Sequence, residues 1–277
     1  MSFQSEIAGG AGPGLLGPGD PQPVGEMNAD SRSRIFLICD HAGNAVPTAL
    51  NDLGLPASEL SRHIGIDIGA LPVAEGLAAR LDAPLVFQRY SRLVIDCNRR
   101  TDASASMPVV ADGTPVPGNE NLDAAARAAR VDAILTPYHD TIRRRLDARA
   151  AAGIPTLLVA VHSFTPSLKA RPADRPWHVG LCWAEHGVFS HHVLRALARE
   201  GDFVLGENEP YTVDMTNDYS IPEHGEKRGL PYAELEIRQD LIGDPGGQTR
   251  WADRLARVLT AAAETFDRDE NGRNGSA

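Results

Sequence analysis

Polar side chains that could bind a metal or move a proton stand after, or inside, four short apolar runs of the sequence. The four sets are His41 after residues 35–39, Asn98 and Arg99 after 93–97, His162 after 157–161, and Glu236 within 232–238. Neutral imidazoles held at strand ends are natural zinc ligands, and a carboxylate beside a metal can take a proton from water. If the four runs meet in space, these residue types indicate a metal site with a general base.

The candidate metal ligands are His41, Asp67 and His162. A single histidine at a strand end is more often a hydrogen-bonded structural residue, so the presence of two strengthens the metal hypothesis. Asp67 lies in a predicted helix between Ile66 and Ile68, where burial would require a partner for its charge. A metal would serve as that partner, but so would a backbone N–H group or an arginine.

The candidate substrate-binding residues are Arg92, Asn98 and Arg99. Two guanidinium groups near an amide suit a small carboxylate held by paired hydrogen bonds. The alternative is that these arginines pair with acidic neighbours such as Asp96 and Asp102.

Glu236 is the candidate general base. Strand alternation puts Glu234 and Glu236 on one face, and Leu235 and Ile237 on the other. A carboxylate that faces a metal-lined crevice can accept a proton from water. The alternative is an edge-strand carboxylate that faces solvent.

The charge and cysteine content limit the classes of partner. A net charge of −10 argues against nucleic acid or an anionic membrane, which need a basic face, but a local arginine cluster could still bind a small anionic substrate. Cys39, Cys97 and Cys182 lie in apolar runs, which indicates reduced, buried thiols in a cytoplasmic protein. We expect no signal peptide and no transmembrane helix, and the oligomeric state stays open.

Apolar runs that alternate with helical stretches predict an α/β fold, a three-layer α/β/α sandwich around a mixed, mostly parallel sheet. The predicted strands are 34–39, 85–87, 93–97, 156–161, 179–183, 203–205 and 232–238. The predicted helices are 58–80, 122–151, 187–200 and 247–268, with Pro72 expected to kink or split the first. Ligands of open α/β sheets bind at the carboxyl ends of strands, where the polar sets are expected to lie.

Composition predicts one domain with two tails. Residues 1–30 are rich in glycine and proline and are expected to form a flexible tail, although order near Val24 is allowed. Residues 31–268 form the predicted domain, and 269–277 a disordered tail. The proline- and glycine-rich segment 101–121 is predicted to be a loop or lid. No glycine-rich nucleotide-binding sequence follows a strand, so a nucleotide cofactor has no support.

Several blocks in order resemble the N-formylglutamate amidohydrolase family over about residues 23–262. The blocks are Cys39–Pro47, Asp67–Ala70, Ser91–Arg99, Val161–Pro166 and Glu234–Ile242. The family is similar in fold to zinc carboxypeptidases and aspartoacylase, so the resemblance implies a zinc-exopeptidase-like architecture.

The resemblance also implies roles for individual residues. His41 matches the first metal ligand and His162 the last, while Glu236 matches the catalytic base. In the same way, Asn98 and Arg99 match a carboxylate clamp, and Arg92 matches the arginine before it. The sequence departs from the pattern at Asn44, where the relatives have glutamate, and we hypothesise that Asp67 supplies the missing ligand.

The resemblance implies a metal-dependent amidohydrolase that cleaves a small N-acyl amino acid. The metal would be Zn²⁺ or another divalent ion, and the leading substrate is N-formyl-L-glutamate, cleaved to formate and L-glutamate as in histidine degradation. One alternative is a non-catalytic protein that binds small carboxylates, for which Asn44 is the best support. Another is a carboxypeptidase-like hydrolase with a larger peptide substrate, which the reach of segment 101–121 would decide.

Overall fold

The computed structural model describes residues 14–172, 174–201 and 203–274. The strands are Val24–Met27 (β1), Ile35–Cys39 (β2), Leu85–Gln88 (β3), Val110–Ala111 (β4), Thr114–Pro115 (β5), Leu157–Phe164 (β6), Val179–Cys182 (β7), Leu205–Glu207 (β8) and Tyr232–Arg238 (β9). The α-helices are Ala57–Leu60 (α1), Ala70–Leu81 (α2), Ala124–Arg130 (α3), Thr136–Ala151 (α4), Val188–Arg199 (α5), Ser220–His224 (α6) and Pro245–Asn274 (α7). A π-helical stretch, Val131–Leu135, joins α3 to α4.

Seven strands form one mixed sheet in the order β1-β3-β2-β6-β9-β7-β8. The four strands β3, β2, β6 and β9 are parallel to one another. At one edge β1 runs antiparallel to β3, and at the other β7 runs antiparallel to β9 with β8 parallel to β7. The prediction of a mixed, mostly parallel sheet is therefore confirmed.

Helices and loops bury the sheet on both faces. On one face, Leu37 and Val159 pack with α2, α5 and α7. On the other, Phe36 and Ile38 pack with α4 and with irregular chain that includes Leu93. The continuous apolar run of β2 follows from this arrangement, because successive side chains of a strand point to opposite faces and both faces are buried.

Residues 93–97 do not form the predicted strand. They are a buried turn region whose backbone groups find partners outside any sheet: Val94 N donates to Ser91 O and Asp96 N to Ser106 O, at 2.9 and 2.8 Å. An apolar run indicates burial, but burial requires only that the backbone hydrogen bonds be satisfied, whether or not a neighbouring strand supplies them.

The predicted helix 58–80 is divided, and Asp67 lies in the break rather than in a helix. α1 ends at Leu60 and α2 begins at Ala70, after Gly69, whose φ is +78°. Pro72 lies in the first turn of α2, where a missing backbone N–H costs little, so it does not kink the helix. The break brings the loop to His41, because Asp67 N donates to His41 O at 3.0 Å.

The structure also differs from the predicted bounds in the N-terminal tail, at the end of α7 and at the end of β6. Val24–Met27 pairs with β3 inside the predicted 1–30 tail, while residues 1–13 lie outside the described range. α7 continues to Asn274, beyond the predicted helix end at 268, and the predicted disorder of 269–277 stays a prediction. β6 extends to Phe164, which places His162 inside the strand instead of after it. Among the described helices, none has the length and apolarity needed to cross a bilayer.

Candidate active site

A cavity of about 470 Å³ opens at the carboxyl ends of β2, β6 and β9. All seven residues that the sequence singled out line it: His41, Asp67, Arg92, Asn98, Arg99, His162 and Glu236. They come from distant parts of the chain and meet because parallel strands present their carboxyl ends at one edge of the sheet. Their functional roles stay predictions, but their proximity is a structural finding.

His41, Asp67 and His162 form a buried cluster at the base of the cavity. One donor atom from each lies within 4.8 Å of the others. Oδ2 of Asp67 is 3.2 Å from Nδ1 of His41 and 2.9 Å from Nδ1 of His162. The carboxylate is thus held between two imidazoles, and Ser163 N also donates to it, at 3.3 Å.

The cluster fits a divalent metal. Nitrogen and oxygen ligands about 2.0–2.1 Å from a tetrahedral zinc lie roughly 3.3 Å apart, close to the two contacts of Asp67. The other ring nitrogen of each histidine faces a second carboxylate: Nε2 of His41 is 2.8 Å from Asp96 Oδ1, and Nε2 of His162 is 3.3 Å from Asp40 Oδ2. Metal-binding histidines usually have such an outer carboxylate, which fixes the ring orientation and the tautomer.

Arg92 holds the carboxylates on the His41 side of the cluster. Its Nε and Nη2 donate to Oδ2 of Asp96 at 3.0 and 2.7 Å, and its Nη1 donates to Oδ1 of Asp67 at 3.2 Å. The backbone N–H of Asn98 adds a bond to Asp96 Oδ1 at 2.9 Å. The sequence left two roles open for Arg92, substrate binding and pairing with an acidic neighbour, and the structure shows Arg92 paired with Asp96. The substrate-binding role of Arg92 stays a prediction.

Asp40 lies beside Nε2 of His162, as Asp96 lies beside Nε2 of His41. The sequence did not single out Asp40 as a site residue. Its Oδ1 accepts hydrogen bonds from Tyr138 Oη at 2.8 Å and from Ser220 Oγ at 2.7 Å. The signal available in the sequence was its position, since an aspartate directly after a doubly buried strand needs a partner. Its partners come from α4 and α6, which no local pattern connects to β2.

The cluster contains more negative than positive charge. Burial and the charge of Arg92 act to lower the pKa of His41, but the carboxylates of Asp96 and Asp67 outweigh them and raise it. For His162, burial is again opposed by the nearby carboxylates of Asp40 and Asp67, which hold its pKa well above the usual value. A proton or a metal cation relieves this excess, so the two compete for the same nitrogen atoms.

Glu236 lies beside the cluster in β9, where its backbone is in register with that of His162 in β6. Its side chain is buried, and Oε2 has no hydrogen-bond partner among the described residues. Burial raises the pKa of Glu236 to about 8; His162 opposes the shift, while Asp67 and Glu234 add to it. A carboxyl group with such a pKa can both accept and donate a proton near neutral pH.

Asn98 and Arg99 contact the segment before and within α6. Oδ1 of Asn98 accepts hydrogen bonds from Ser220 N at 2.9 Å and Tyr219 N at 3.4 Å. Nη1 of Arg99 forms an ion pair with Asp218, while its side chain keeps 31% of its surface exposed. Arg99 is thus available to an anion in the cavity, but one of its donors already has a carboxylate partner.

Asn44 does not line the cavity in the described structure. Its Nδ2 donates to Leu60 O at 3.4 Å, away from the two histidines. Asp67 occupies the position between those histidines, so the geometry favours Asp67 as the third donor. Segment 101–121 contributes no residue to the described lining either.

Comparison with known proteins places the chain in a family. The family model described as N-formylglutamate amidohydrolase matches residues 33–243. The chain belongs to this family. Membership of the N-formylglutamate amidohydrolase family confirms the resemblance seen in the sequence and supports a hydrolase acting on amide bonds. No curated protein matches the chain.

Two solved structures are similar to this member of the N-formylglutamate amidohydrolase family. A gene product of Agrobacterium tumefaciens has 33% sequence identity and a TM-score of 0.87, over 91% of this chain and 99% of its own. An N-formylglutamate amidohydrolase from Ralstonia eutropha has 17% identity and a TM-score of 0.63, over 90% of this chain and 100% of its own. At that identity the second comparison shows the fold alone.

Proposed function

We propose that the protein is a metal-dependent amidohydrolase that cleaves the amide of a small N-acyl amino acid. Family membership supports the reaction class. The observation that carries the proposal is Oε2 of Glu236, which has no hydrogen-bond partner in the part of the chain that the structure describes and lies beside the cluster of His41, Asp67 and His162. N-formyl-L-glutamate, cleaved to formate and L-glutamate, is the first substrate to assay, and histidine degradation is the corresponding pathway.

Zn²⁺ is the proposed metal. Two imidazoles and one carboxylate form a donor set that catalytic zinc sites use, with further positions left for water and substrate. His41, Asp67 and His162 would hold the ion. When bound, it would polarise the acyl carbonyl and lower the pKa of water from about 15.7 towards 7.

Glu236 handles the protons. Its Oε2 accepts a proton from the attacking water, whose oxygen forms a bond to the acyl carbon. The same carboxyl group then gives the proton to the amide nitrogen as the carbon–nitrogen bond breaks. Glu236 is buried yet lines the cavity, so its carboxyl group has little contact with bulk solvent while it can reach a bound substrate.

Arg99 orients the substrate in the proposed reaction. Its exposed guanidinium N–H groups would bind the carboxylate of the amino acid, which fixes the acyl group relative to the base. Asn98 holds the segment that carries the ion-pair partner of Arg99, and Arg92 keeps Asp67 and Asp96 in place. The sequence predicts that both Arg92 and Asn98 contact the substrate; the proposal keeps that role for Asn98 only, because Arg92 is paired with Asp67 and Asp96.

The test is a metal analysis coupled to an assay of amine release. Protein purified without chelator is expected to contain about one divalent ion per chain and to release the free amino acid from N-acyl substrates. Removal of the metal should abolish release, and Zn²⁺ should restore it. Substrate binding without release by the metal-loaded protein would favour the carboxylate-binding alternative instead.

A cytoplasmic setting is also part of the proposal. The cysteines Cys39, Cys97 and Cys182 are free and buried, which supports a reducing, cytoplasmic environment. The acidic net charge supports a small anionic substrate and no nucleic-acid or membrane partner.

A further inference from the structure

We propose that the substrate of this site carries a single carboxylate, and that the side chain of its amino acid is neutral or positively charged. The inference rests on the proposed function, which it narrows. It departs from the family's reference substrate, because N-formyl-L-glutamate carries two carboxylates. The reason lies in the number of cations on the cavity wall and in the partners that they already have.

The first cation, Arg92, is committed to the metal cluster. Three of its nitrogen atoms donate to Asp67 and Asp96, both of which are buried. Since one guanidinium faces two carboxylates, its positive charge is already outweighed by its own neighbours. A substrate carboxylate placed against Arg92 would also approach those two carboxylates, which would repel it.

The second cation, Arg99, is paired but still accessible. Its partner Asp218 is buried and fixed, because Oδ2 of Asp218 also accepts the backbone N–H of Asp214 at 2.9 Å. Nη1 of Arg99 pairs with that carboxylate, while the side chain lines the cavity and keeps 31% of its surface exposed. Arg99 can therefore bind one substrate carboxylate, and its charge is partly balanced before the substrate arrives.

The rest of the charged lining is acidic. Besides these two arginines and three histidines, the described wall has five carboxyl groups, namely Asp67, Asp214, Asp218, Glu234 and Glu236. Burial raises the pKa of Glu234 and Glu236, so the negative charge of the wall comes mainly from the three aspartates. A divalent cation at the histidines, together with Arg92, would be balanced by the carboxylates of Asp40, Asp67 and Asp96, so it leaves no surplus for a second substrate carboxylate. Asp214 is exposed at the cavity and would repel an anionic side chain, or attract a cationic one.

Arg175 is a third cation near the wall: its charge acts on His63 and Tyr211, which line the cavity, although Arg175 itself is not among the described lining residues. Its guanidinium stacks on the rings of Phe164 and Tyr211, at 5.3 and 4.9 Å from their centroids. Its Nη1 donates to Thr165 O at 3.0 Å, and its side chain is buried. Both rings line the cavity, and the Arg175 guanidinium is packed against them, so a substrate carboxylate would reach it only if a ring moved.

The primary test compares two substrates of nearly equal shape, N-formyl-L-glutamate and N-formyl-L-glutamine, on the metal-loaded protein. We expect kcat/KM to be at least about tenfold higher for the glutamine compound, because a second carboxylate is a charge that the site does not pair. N-formyl-L-lysine should also be a better substrate than the glutamate compound. Equal or higher kcat/KM for the glutamate compound would overturn the inference and leave the proposed function standing, whereas no turnover of any of the three would count against the proposed function.

A second test uses a charge change on the acidic wall. Asp214→Asn keeps the size of the side chain and should raise the glutamate-to-glutamine ratio of kcat/KM by about threefold or more, since one repulsive charge is removed. The matched control is Asp30→Asn, which makes the same change at a fully exposed residue before β2, at the opposite end of that strand from the cavity. An unchanged ratio in Asp214→Asn, or an equal change in both variants, would contradict a local charge effect. Arg175→Met should leave the ratio unchanged, and a selective loss of glutamate turnover there would overturn the inference by showing that Arg175 binds the second carboxylate.

Discussion

The cavity has two walls that are built differently. One, the strand wall, is formed by His41, Asp67, His162 and Glu236, whose side chains are buried at or beside the ends of β2, β6 and β9. The other, the loop wall, is formed by the irregular segment 210–218, where Tyr211 keeps 43% of its surface exposed. Paired strands fix the first wall, while the second depends on turns such as the one that Asp214 caps by accepting Thr216 N at 2.8 Å.

The strand wall is suited to the chemical step, and the loop wall is suited to the selection of the substrate. Groups that bind a metal and move a proton must be positioned within a fraction of an ångström, which packed strands and outer hydrogen bonds provide. Groups that select a substrate can lie on loops, because loops tolerate sequence change without loss of the core. We therefore expect changes in the strand wall to affect metal binding and kcat, and changes in the loop wall to affect KM and the choice of substrate.

The largest effect is expected for the imidazole ligands. His41→Ala and His162→Ala should each lose the bound metal and all measurable activity, since each removes one of three donors. Metal content by elemental analysis and the rise of Tm on addition of Zn²⁺ are the measurements, the second because a ligand that binds only the folded state stabilises it. His191→Ala, at an exposed histidine of α5, is the control and should keep full metal content. Full occupancy in either ligand variant would remove that histidine from the metal site.

Glu236→Gln should lower kcat by about 10²–10⁴ while metal content stays near that of the wild type. The amide keeps the shape of the carboxyl group but cannot accept the proton. Glu234→Gln, two residues away on the same buried face of β9, is the matched comparison and should have a clearly smaller effect. If the two variants exchanged these behaviours, Glu234 would be the base; if Glu236→Gln lost the metal, Glu236 would be a ligand.

An intermediate effect is expected behind the strand wall. Asp40→Asn should weaken metal binding by about 10–100-fold, because the carboxylate that orients His162 is replaced by a neutral group. Tyr138→Phe should have a smaller effect, since Ser220 Oγ still donates to Asp40. Competition with a metal-binding dye would measure both affinities. The same affinity in the wild type and Asp40→Asn would show that Asp40 only fills the core.

The smallest effect is expected at Arg99, where the strand wall meets the loop wall. Arg99→Ala should raise KM by about tenfold with a lesser change in kcat, a modest figure because the guanidinium is part-exposed and already paired with Asp218. Arg99→Lys should restore little, since an ammonium group cannot form the same paired hydrogen bonds. Steady-state kinetics with one substrate across the three proteins would decide, and unchanged KM in both variants would mean that Arg99 contacts only Asp218.

The sequence predicted the central strands well, and the connections between them poorly. β9 has the predicted bounds, and β2 differs by one residue, because an apolar run bounded by polar residues marks a buried strand. The run 93–97 shows the same pattern but is a turn region, since the pattern reports burial and not the identity of the hydrogen-bond partner. The helix predicted over 58–80 is divided because a left-handed Gly69 and the docking of Asp67 N on His41 O override helix propensity.

The amino-acid sequence by itself determined the fold class, the family and the seven residues that line the cavity, because strand patterns and family blocks are local properties of the chain. Only the tertiary structure decided that Asp67, not Asn44, lies between the two histidines, and that Asp40 and Asp96 lie next to their other ring nitrogen atoms. It also decided that Arg92 faces two carboxylates, which changes the charge available to a substrate. These contacts join residues that are far apart in the sequence, and their geometry depends on how whole loops pack, which no local pattern of residue types records.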